Sequence, residues 1–274
     1  MSTETSLNER RPAVQSEESV HPRPATGLRA LVRSIAIRAR LYPHITLNRM
    51  PFKTFEFREL MKLTRFDADD RVLDLGCGTG TQTILVGRRC RQVVGVDTDP
   101  AWIARARQVA ARFEGVVDCA FRHGPVEAQG FESASFDRVL SFCVIEHIPN
   151  YDEVLAELHR VLKPGGQLVL SADALEGIED PELIERHRTD NHVFQYFRAD
   201  TFRRCLEEAG FEVETLYPIF RSEAARRWFE ADIRSGFRYS YLGALTRYFR
   251  LRLQEALCRQ RERGLFLIAS CRKR

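Results

Sequence analysis

The nine residues VLDLGCGTG, positions 72–80, constrain this chain more than any other stretch. A short apolar run ends in three glycines at alternate positions, Gly76, Gly78 and Gly80, and a helix-compatible segment, Thr81–Val86, follows at once. Glycine lacks a Cβ, so a strand can turn sharply there into a helix while its backbone comes close to a ligand. The spacing is G-x-G-x-G. The dinucleotide fingerprint G-x-G-x-x-G would need glycine at position 81, which is threonine. The loop therefore suits a ligand that asks for close backbone approach rather than a pyrophosphate seat. Asp97 ends the next apolar run, where a carboxylate can accept hydrogen bonds from both hydroxyls of a ribose.

From Asp67 onward apolar runs alternate with amphipathic segments. Strands are expected at 72–75, 93–96, 116–121, 136–142, 167–170, 211–216 and 265–270. Asp99-Pro100 reads as an N-cap followed by proline at the first helical position, opening a helix to about Phe113. Residues 151–162 carry Val154, Leu155, Leu158, Val161 and Leu162 on one side, and Pro164-Gly165-Gly166 ends that helix. Asp200 is expected to cap a helix with Cys205, Leu206 and Ala209 inward and Gly210 just past its end. Strands alternating with helices of 10–15 residues imply a parallel, doubly wound α/β sheet. Ahead of this core, residues 1–25 are polar and proline-containing and read as a disordered tail. Residues 26–66 read as a helical cap, with helices near 28–41 and 54–63.

Several classes are excluded by composition. No window approaches the ~20 apolar residues needed to span a bilayer, and the N-terminal stretch has no apolar core of a secretory signal. The seven cysteines lie at 77, 90, 119, 143, 205, 258 and 271. None forms a C-x-x-C pair, so no metal site is expected and the thiols read as reduced, in a cytoplasmic or membrane-peripheral protein. Charge is unevenly spread. Residues 221–274 hold 14 Arg/Lys and 5 Asp/Glu, whereas the whole chain is only +4, so the remainder is acidic. A basic end on an acidic body suits an acidic partner or an anionic membrane surface.

The ordered motifs resemble those of the class I S-adenosylmethionine (SAM)-dependent methyltransferases, over about residues 68–216 and 264–273. After the glycine loop, VVGVDTDP (93–100) resembles the family's acidic second-strand motif and SFDRVLSFCVIEHIPN (135–150) its fourth-strand motif. LHRVLKPGGQLVLS (158–171) resembles the fifth-strand motif, and residues 192–215 the segment leading into the sixth strand. The resemblance is to the branch that modifies small molecules, quinones and lipids. It implies a Rossmann-like seven-stranded sheet of order 3-2-1-4-5-7-6 with the last strand antiparallel, and SAM as cofactor. By position, Asp74 would orient the glycine loop and the methionine amine. Gly76, Cys77 and Gly78 would back the methionine, Asp97 would hold the ribose with Thr98 beside the adenine, and the Cys143 carbonyl would meet the amine. Relatives often carry Gly-Asp-Ala-Glu after the third strand. Here Gly124-Pro125-Val126-Glu127 has no such aspartate, leaving the Val126 N–H as the adenine contact.

Methyl transfer from a sulfonium is an in-line displacement whose leaving group is already cationic, so alignment and exclusion of water matter more than acid catalysis. A hydroxyl or ammonium acceptor also needs a base. Candidates beyond the carboxyl ends of the strands are His147, His192 and Asp190, with His187 in the same segment and Tyr196 as a positioning group. The family normally joins its sixth and seventh strands by a short hairpin. Here residues 220–263 intervene, with eleven arginines interleaved with Trp228, Phe229, Phe237, Tyr239, Tyr241, Tyr248 and Phe249. This insertion is expected to be a helical lid over the acceptor or, alternatively, a homodimer surface. The activity expected is methyl transfer from SAM to an O, N or C atom of a small-molecule or lipid-like acceptor, with the basic 221–263 segment at a membrane surface. An RNA methyltransferase is an alternative, against which stands the absence of an Asn/Asp-Pro-Pro-Tyr/Phe motif after the fourth strand. A non-catalytic binding subunit of the same fold is another.

Overall fold

Residues 72–75, 93–96, 139–142 and 168–170 are nearly unbroken apolar runs, the pattern of parallel strands covered on both faces. The computed structural model describes residues 50–113 and 117–274. The expected tail at 1–25 and the expected helix near 28–41 lie outside the described residues. Seven strands form one sheet: β1 (Arg71–Leu75), β2 (Gln92–Asp97), β3 (Cys119–His123), β4 (Phe136–Phe142), β5 (Leu162–Asp173), β6 (Phe211–Ile219) and β7 (Phe266–Lys273). Their order is β3-β2-β1-β4-β5-β7-β6, and β7 runs antiparallel to both β5 and β6. Topology and sense are those expected.

Successive side chains point to opposite faces, and the core divides accordingly. Val72, Val93, Leu140, Phe142 and Val169 face one layer; Leu73, Leu75, Val94, Val96, Val139, Leu168 and Leu170 face the other. The second layer is covered by α4 (Tyr151–Val161) and α6 (Ala199–Glu208), through Leu155, Leu158, Phe202 and Leu206. The first is covered by α1 (Pro51–Leu63), α2 (Thr81–Val86), α5 (Pro181–Asn191), α7 (Glu223–Ser235) and α8 (Tyr241–Leu257). The remaining helix, α3 (Pro100–Ala110), packs over β2 and β3, with Asp99 accepting from the Ala101 and Trp102 N–H groups as its cap.

Several boundaries differ from expectation for physical reasons. Helix α1 begins at Pro51, not Thr54, because proline fits the first helical turn. Strand β3 starts at Cys119 rather than 116 and continues to His123, pairing Asp97 with His123. Strand β5 runs from Leu162 to Asp173. Pro164-Gly165-Gly166 ends the preceding helix, but the chain stays extended through a register shift opposite Phe136–Arg138. Asp200 lies in the first turn of α6 and is not its cap. Arg198 holds that position, its backbone N–H donating to the Thr201 hydroxyl at 3.2 Å.

The insertion is helical, as expected, and its aromatics pack on α1. Phe220 sits at the end of β6 with φ of +58°, 1% exposed. Its ring meets Phe52 at 4.8 Å, Phe55 at 5.1 Å and Phe266 at 5.1 Å. Phe229 of α7 joins them, 5.2 Å from Phe52 and 5.7 Å from Phe266. This aromatic knot ties α1, the insertion and β7 together. Truncating a fully buried phenylalanine removes its burial and leaves a cavity. Phe220→Ala is expected to destabilise the protein by about 3–5 kcal/mol, read as a lowered urea midpoint. A midpoint within error of the parent would show that the knot contributes nothing.

Candidate active site

The turn after β1 is fixed by its hydrogen bonds. The Gly76 and Cys77 N–H groups both donate to the Val96 carbonyl of β2, at 2.8 and 3.1 Å, and the Gly80 N–H donates to the Cys77 carbonyl. Gly76, Gly78 and Gly80 have φ of +68°, +49° and +73°, the left-handed region that side chains disfavour. They differ in what surrounds them. A Cβ on Gly76 would lie 2.3 Å from Val144, and one on Gly80 2.7 Å from the Phe121 ring. A Cβ on Gly78 would meet nothing within 4 Å. Two of the glycines are therefore demanded by packing as well as by φ, and only position 78 leaves open space for a ligand.

The Asp97 carboxylate closes the turn. Its Oδ2 accepts from the Gly78 N–H at 2.8 Å and its Oδ1 from the Asp99 N–H at 2.9 Å. Each oxygen keeps further lone-pair capacity, and the side chain is half-buried at a cleft of ≈ 960 Å³. Gly76, Asp97, Thr98, Val126, Cys143, His147 and His192 all line this cleft. Sequence reasoning missed Trp102, in the first turn of α3, which also lines it, and Phe194, 58% exposed at the same cleft. Cys77 is buried, its side chain filling the space where Gly95 of β2 has no Cβ. Burial, with Asp74 and Asp97 nearby, pushes its thiol far up, so it is a packing residue without thiolate character.

Asp74 is 1% exposed. One carboxylate oxygen accepts from the Thr83 hydroxyl at 2.5 Å, and the other, Oδ1, is buried with no hydrogen-bond partner. Burial raises its pKa to about 7, against the Thr83 bond and with some help from Asp97. A buried acceptor without a donor is costly, and a ligand ammonium would satisfy it. That orphan oxygen, the open surface at Gly78 and the spare capacity of Asp97 fit the two ends of SAM.

The candidate bases separate. His147 sits in a one-turn helix after β4, its Nδ1 3.4 Å from the His192 carbonyl. Burial lowers its pKa, so its imidazole is neutral at pH 7. His192 ends α5 in the left-handed conformation and lines the same cleft. Asp190 does not join them: its side chain is 60% exposed and pairs with Arg186 at 3.5 Å. His187, by contrast, is buried, with a pKa lowered to about 4 by burial first and by His147 and Lys53 next. It belongs to a cluster that the sequence reading missed. In it the Cys143 thiol donates to Glu56 Oε1 at 3.1 Å, Lys53 pairs with Glu56 Oε2 at 3.1 Å, and Ser171 donates to Glu56 as well. Glu146 and Asp173 complete it. Burial raises both carboxyls, Asp173 to about 6.

The sheet order, the glycine turn and the acidic end of β2 define a class I methyltransferase fold. Residues 73–170 match the family described as a methyltransferase domain. A probable SAM-dependent methyltransferase of Mycolicibacterium smegmatis is 33% identical over 60% of this chain and 60% of its own length. A sterol 24-C-methyltransferase of Saccharomyces cerevisiae is 26% identical over 64% of this chain and 50% of its own. Among solved structures, a geranyl diphosphate C-methyltransferase from Streptomyces coelicolor A3(2), in complex with Mg2+, geranyl diphosphate and S-adenosyl-L-homocysteine, aligns with a TM-score of 0.60. It is 14% identical, over 94% of this chain and 88% of that one, and shows the fold. The methyltransferase-domain match is confined to residues 73–170, and the chain spans about half to three fifths of the length of these curated relatives.

Asp74 and Asp173 carry a testable signature. Their folded pKa values, about 7 and about 6, lie above the ordinary 3.8, so the folded state holds these protons more tightly than the unfolded chain. The stability they contribute is full below about pH 4 and is lost as pH rises towards 7. The ligand-free protein is expected to lose stability between those limits, and Asp74→Asn to flatten the loss. Urea unfolding at several pH values checks this; an unchanged slope in the variant would remove Asp74 from the account.

Proposed function

We propose that this chain transfers a methyl group from SAM to an O, N or C atom of a small-molecule or lipid-like acceptor. The observation that carries the reading is the Asp97 carboxylate lining the cleft and holding the Gly78 N–H; Gly78 has open space around it and Asp74, at the end of β1, keeps an unpartnered oxygen, though neither lines the cleft itself. SAM, when bound, supplies an electrophilic methyl on a cationic sulfur. The chain's residues hold and orient it: Asp74 takes the amine, together with the Cys143 carbonyl. Gly76, Cys77 and Gly78 back the methionine, and Asp97 takes the ribose. Thr98, Val126 and Trp102 surround the adenine. Neutral His147, with the His192 carbonyl fixing its ring, is placed to accept an acceptor proton. Asp190, turned to solvent, is left out of this set. The relatives named for a sterol and a geranyl diphosphate support an apolar acceptor.

In this reading residues 67–219 and 264–274 form the cofactor-binding core, with the described residues 50–66 a cap and 220–263 a lid. Helix α8 supports the membrane-peripheral part. Leu242, Phe249, Leu253 and Leu257 stand 55–68% exposed at intervals of 7, 4 and 4 residues, one face of a helix. Arginines 247, 250 and 252 lie on the same helix and Arg259, Arg261 and Arg263 beyond it. An apolar stripe flanked by arginine suits an anionic lipid surface. Among the described residues no helix is long and apolar enough to cross a membrane.

Two measurements test these statements. Calorimetry with SAM is expected to show binding, weakened at least about tenfold in Asp97→Ala by loss of charge-assisted hydrogen bonds; equal affinity would overturn the assignment of Asp97. Sedimentation with vesicles is expected to pull the protein down on anionic and not on neutral lipid, and Phe249→Glu with Leu253→Glu to release it. A parent protein that ignores anionic vesicles while forming a dimer that this double variant breaks would assign the stripe to a second copy of the chain.

A further inference from the structure

Behind the cleft wall at Cys143, three donors from two strand ends meet. Cys143 Sγ follows β4, Glu146 lies three residues on, and Asp173 ends β5. One ligand atom from each lies within 4.8 Å of the others, and all three residues are buried. Glu146 is 0% exposed, and neither of its carboxylate oxygens has a hydrogen-bond partner. Its contact with the His147 Nε2, at 3.9 Å, is too long for one. Lys53 pairs with Glu56 at 3.1 Å and its charge also acts on Cys143, Glu146 and Asp173, so a single ammonium serves three buried carboxyls, Glu56, Glu146 and Asp173.

His187 adds an independent observation. The Tyr196 hydroxyl is 3.3 Å from the Ile184 carbonyl and 3.0 Å from His187 Nδ1. In the tautomer whose Nδ1–H donates to the Tyr196 hydroxyl, Nε2 carries a lone pair. That lone pair faces the Asp173 Oδ2 at 3.8 Å. In that tautomer two acceptors face each other across a gap that a proton or a cation can bridge, beside a glutamate whose carboxylate oxygens have no hydrogen-bond partner.

We propose that Cys143, Glu146 and Asp173, with His187 at the margin, form a binding site for one divalent metal ion of zinc's borderline softness. A thiolate with carboxylates and an imidazole is a zinc-type donor set, whereas magnesium and calcium take oxygen alone. Binding exchanges protons for the ion: the thiol and whichever carboxyls are protonated release theirs to solvent as the metal–sulfur and metal–oxygen bonds form. Glu56, which accepts from the Cys143 thiol and the Ser171 hydroxyl, becomes an outer partner that orients the sulfur. With Cys143, Glu146 and Asp173 as the three protein ligands, a fourth position is left to His187 or to an incoming ligand that displaces it. Because the Cys143 residue itself lines the cofactor cleft, an acceptor heteroatom held there would lie close to the methyl donor. That consequence rests on the methyltransferase reading; the ion site does not.

The test uses the full chain, stripped of metal with a chelator and titrated with Co2+ alone. The expected result is a saturable near-ultraviolet thiolate-to-cobalt charge-transfer band at one equivalent, displaced by Zn2+. Cys143→Ser is expected to abolish the band with the circular dichroism spectrum retained, and Glu146→Gln to weaken Co2+ binding more than about tenfold. No band in the parent protein, or an undiminished band in Cys143→Ser, would overturn the proposal. If Cys143→Ser fails to fold, Glu146→Gln decides: unchanged Co2+ affinity overturns it. SAM calorimetry on the same stripped protein keeps the two readings apart, since binding of SAM without a cobalt band removes the ion site alone.

Discussion

The carbonyl of Val96 and the carboxylate of Asp97 hold the turn on which the proposed cofactor site depends. Adjacent residues at the end of β2 collect the N–H groups of Gly76, Cys77 and Gly78, so the exit of β1 is tied to the exit of its neighbour. Left-handed backbone at three positions is unfavourable for most residues. Here those N–H groups find acceptors, and the absent side chains let Val144 and Phe121 close against the loop. The loop is thereby clamped by β2, β3 and the β4 exit together. Its geometry is a property of the sheet, and preorganisation of this kind lowers the cost of ordering a ligand.

The sheet was legible because its signal is local. Strand β4 occupies the expected residues, and order and sense are those that the family resemblance, carried by motifs in series, implies. The misplaced edges lie where tertiary pairing overrides local pattern. Strand β3 is half-exposed along its length, so apolarity marks it weakly, and its register is set by Val93 and Asp97 across the ladder. Strand β5 persists through Pro164-Gly165-Gly166 because Leu162 still pairs with Phe136. Proline and glycine in sequence announce a turn; the neighbour decides whether the extended chain continues.

The same division separates the two halves of the candidate site. The cofactor half is written in contiguous motifs, so the glycines and Asp97 could be named from the residues, and Cys143 from the family resemblance of the fourth-strand motif. The polar cluster beside it draws Lys53 and Glu56 from α1, Cys143 and Glu146 from the β4 exit, Ser171 and Asp173 from β5 and His187 from α5. No periodicity links positions so far apart. The one hint was chemical: Glu146 stands between Ile145 and His147 in an otherwise apolar stretch, and a buried carboxylate at a strand end needs a reason. The candidates at 187 and 190 separate for a related cause. His187 and Asp190 share a helix, yet one is buried against Phe229 and the other reaches back to Arg186 in water.

The arginines of residues 220–263 show how composition overstates a surface. Five of the eleven already face acids close by: Arg226 and Arg227 pair with Glu223, Arg226 and Arg234 with Glu230, Arg247 with Asp232, and Arg221 with Glu255. Arg247 and Arg250 also lie over the Trp228 ring, at 5.2 and 5.1 Å, where planar guanidinium groups stack well. Exposed pairs contribute little stability, but they do neutralise the field that net charge alone would suggest. What remains unmatched by such pairs is concentrated on α8 and the stretch to Gly264, next to the exposed leucines and Phe249. The lipid-surface argument therefore rests on the apolar stripe first and on charge second. Arginine near such a stripe acts through reach: its stem can lie along apolar surface while the guanidinium stays at the polar boundary.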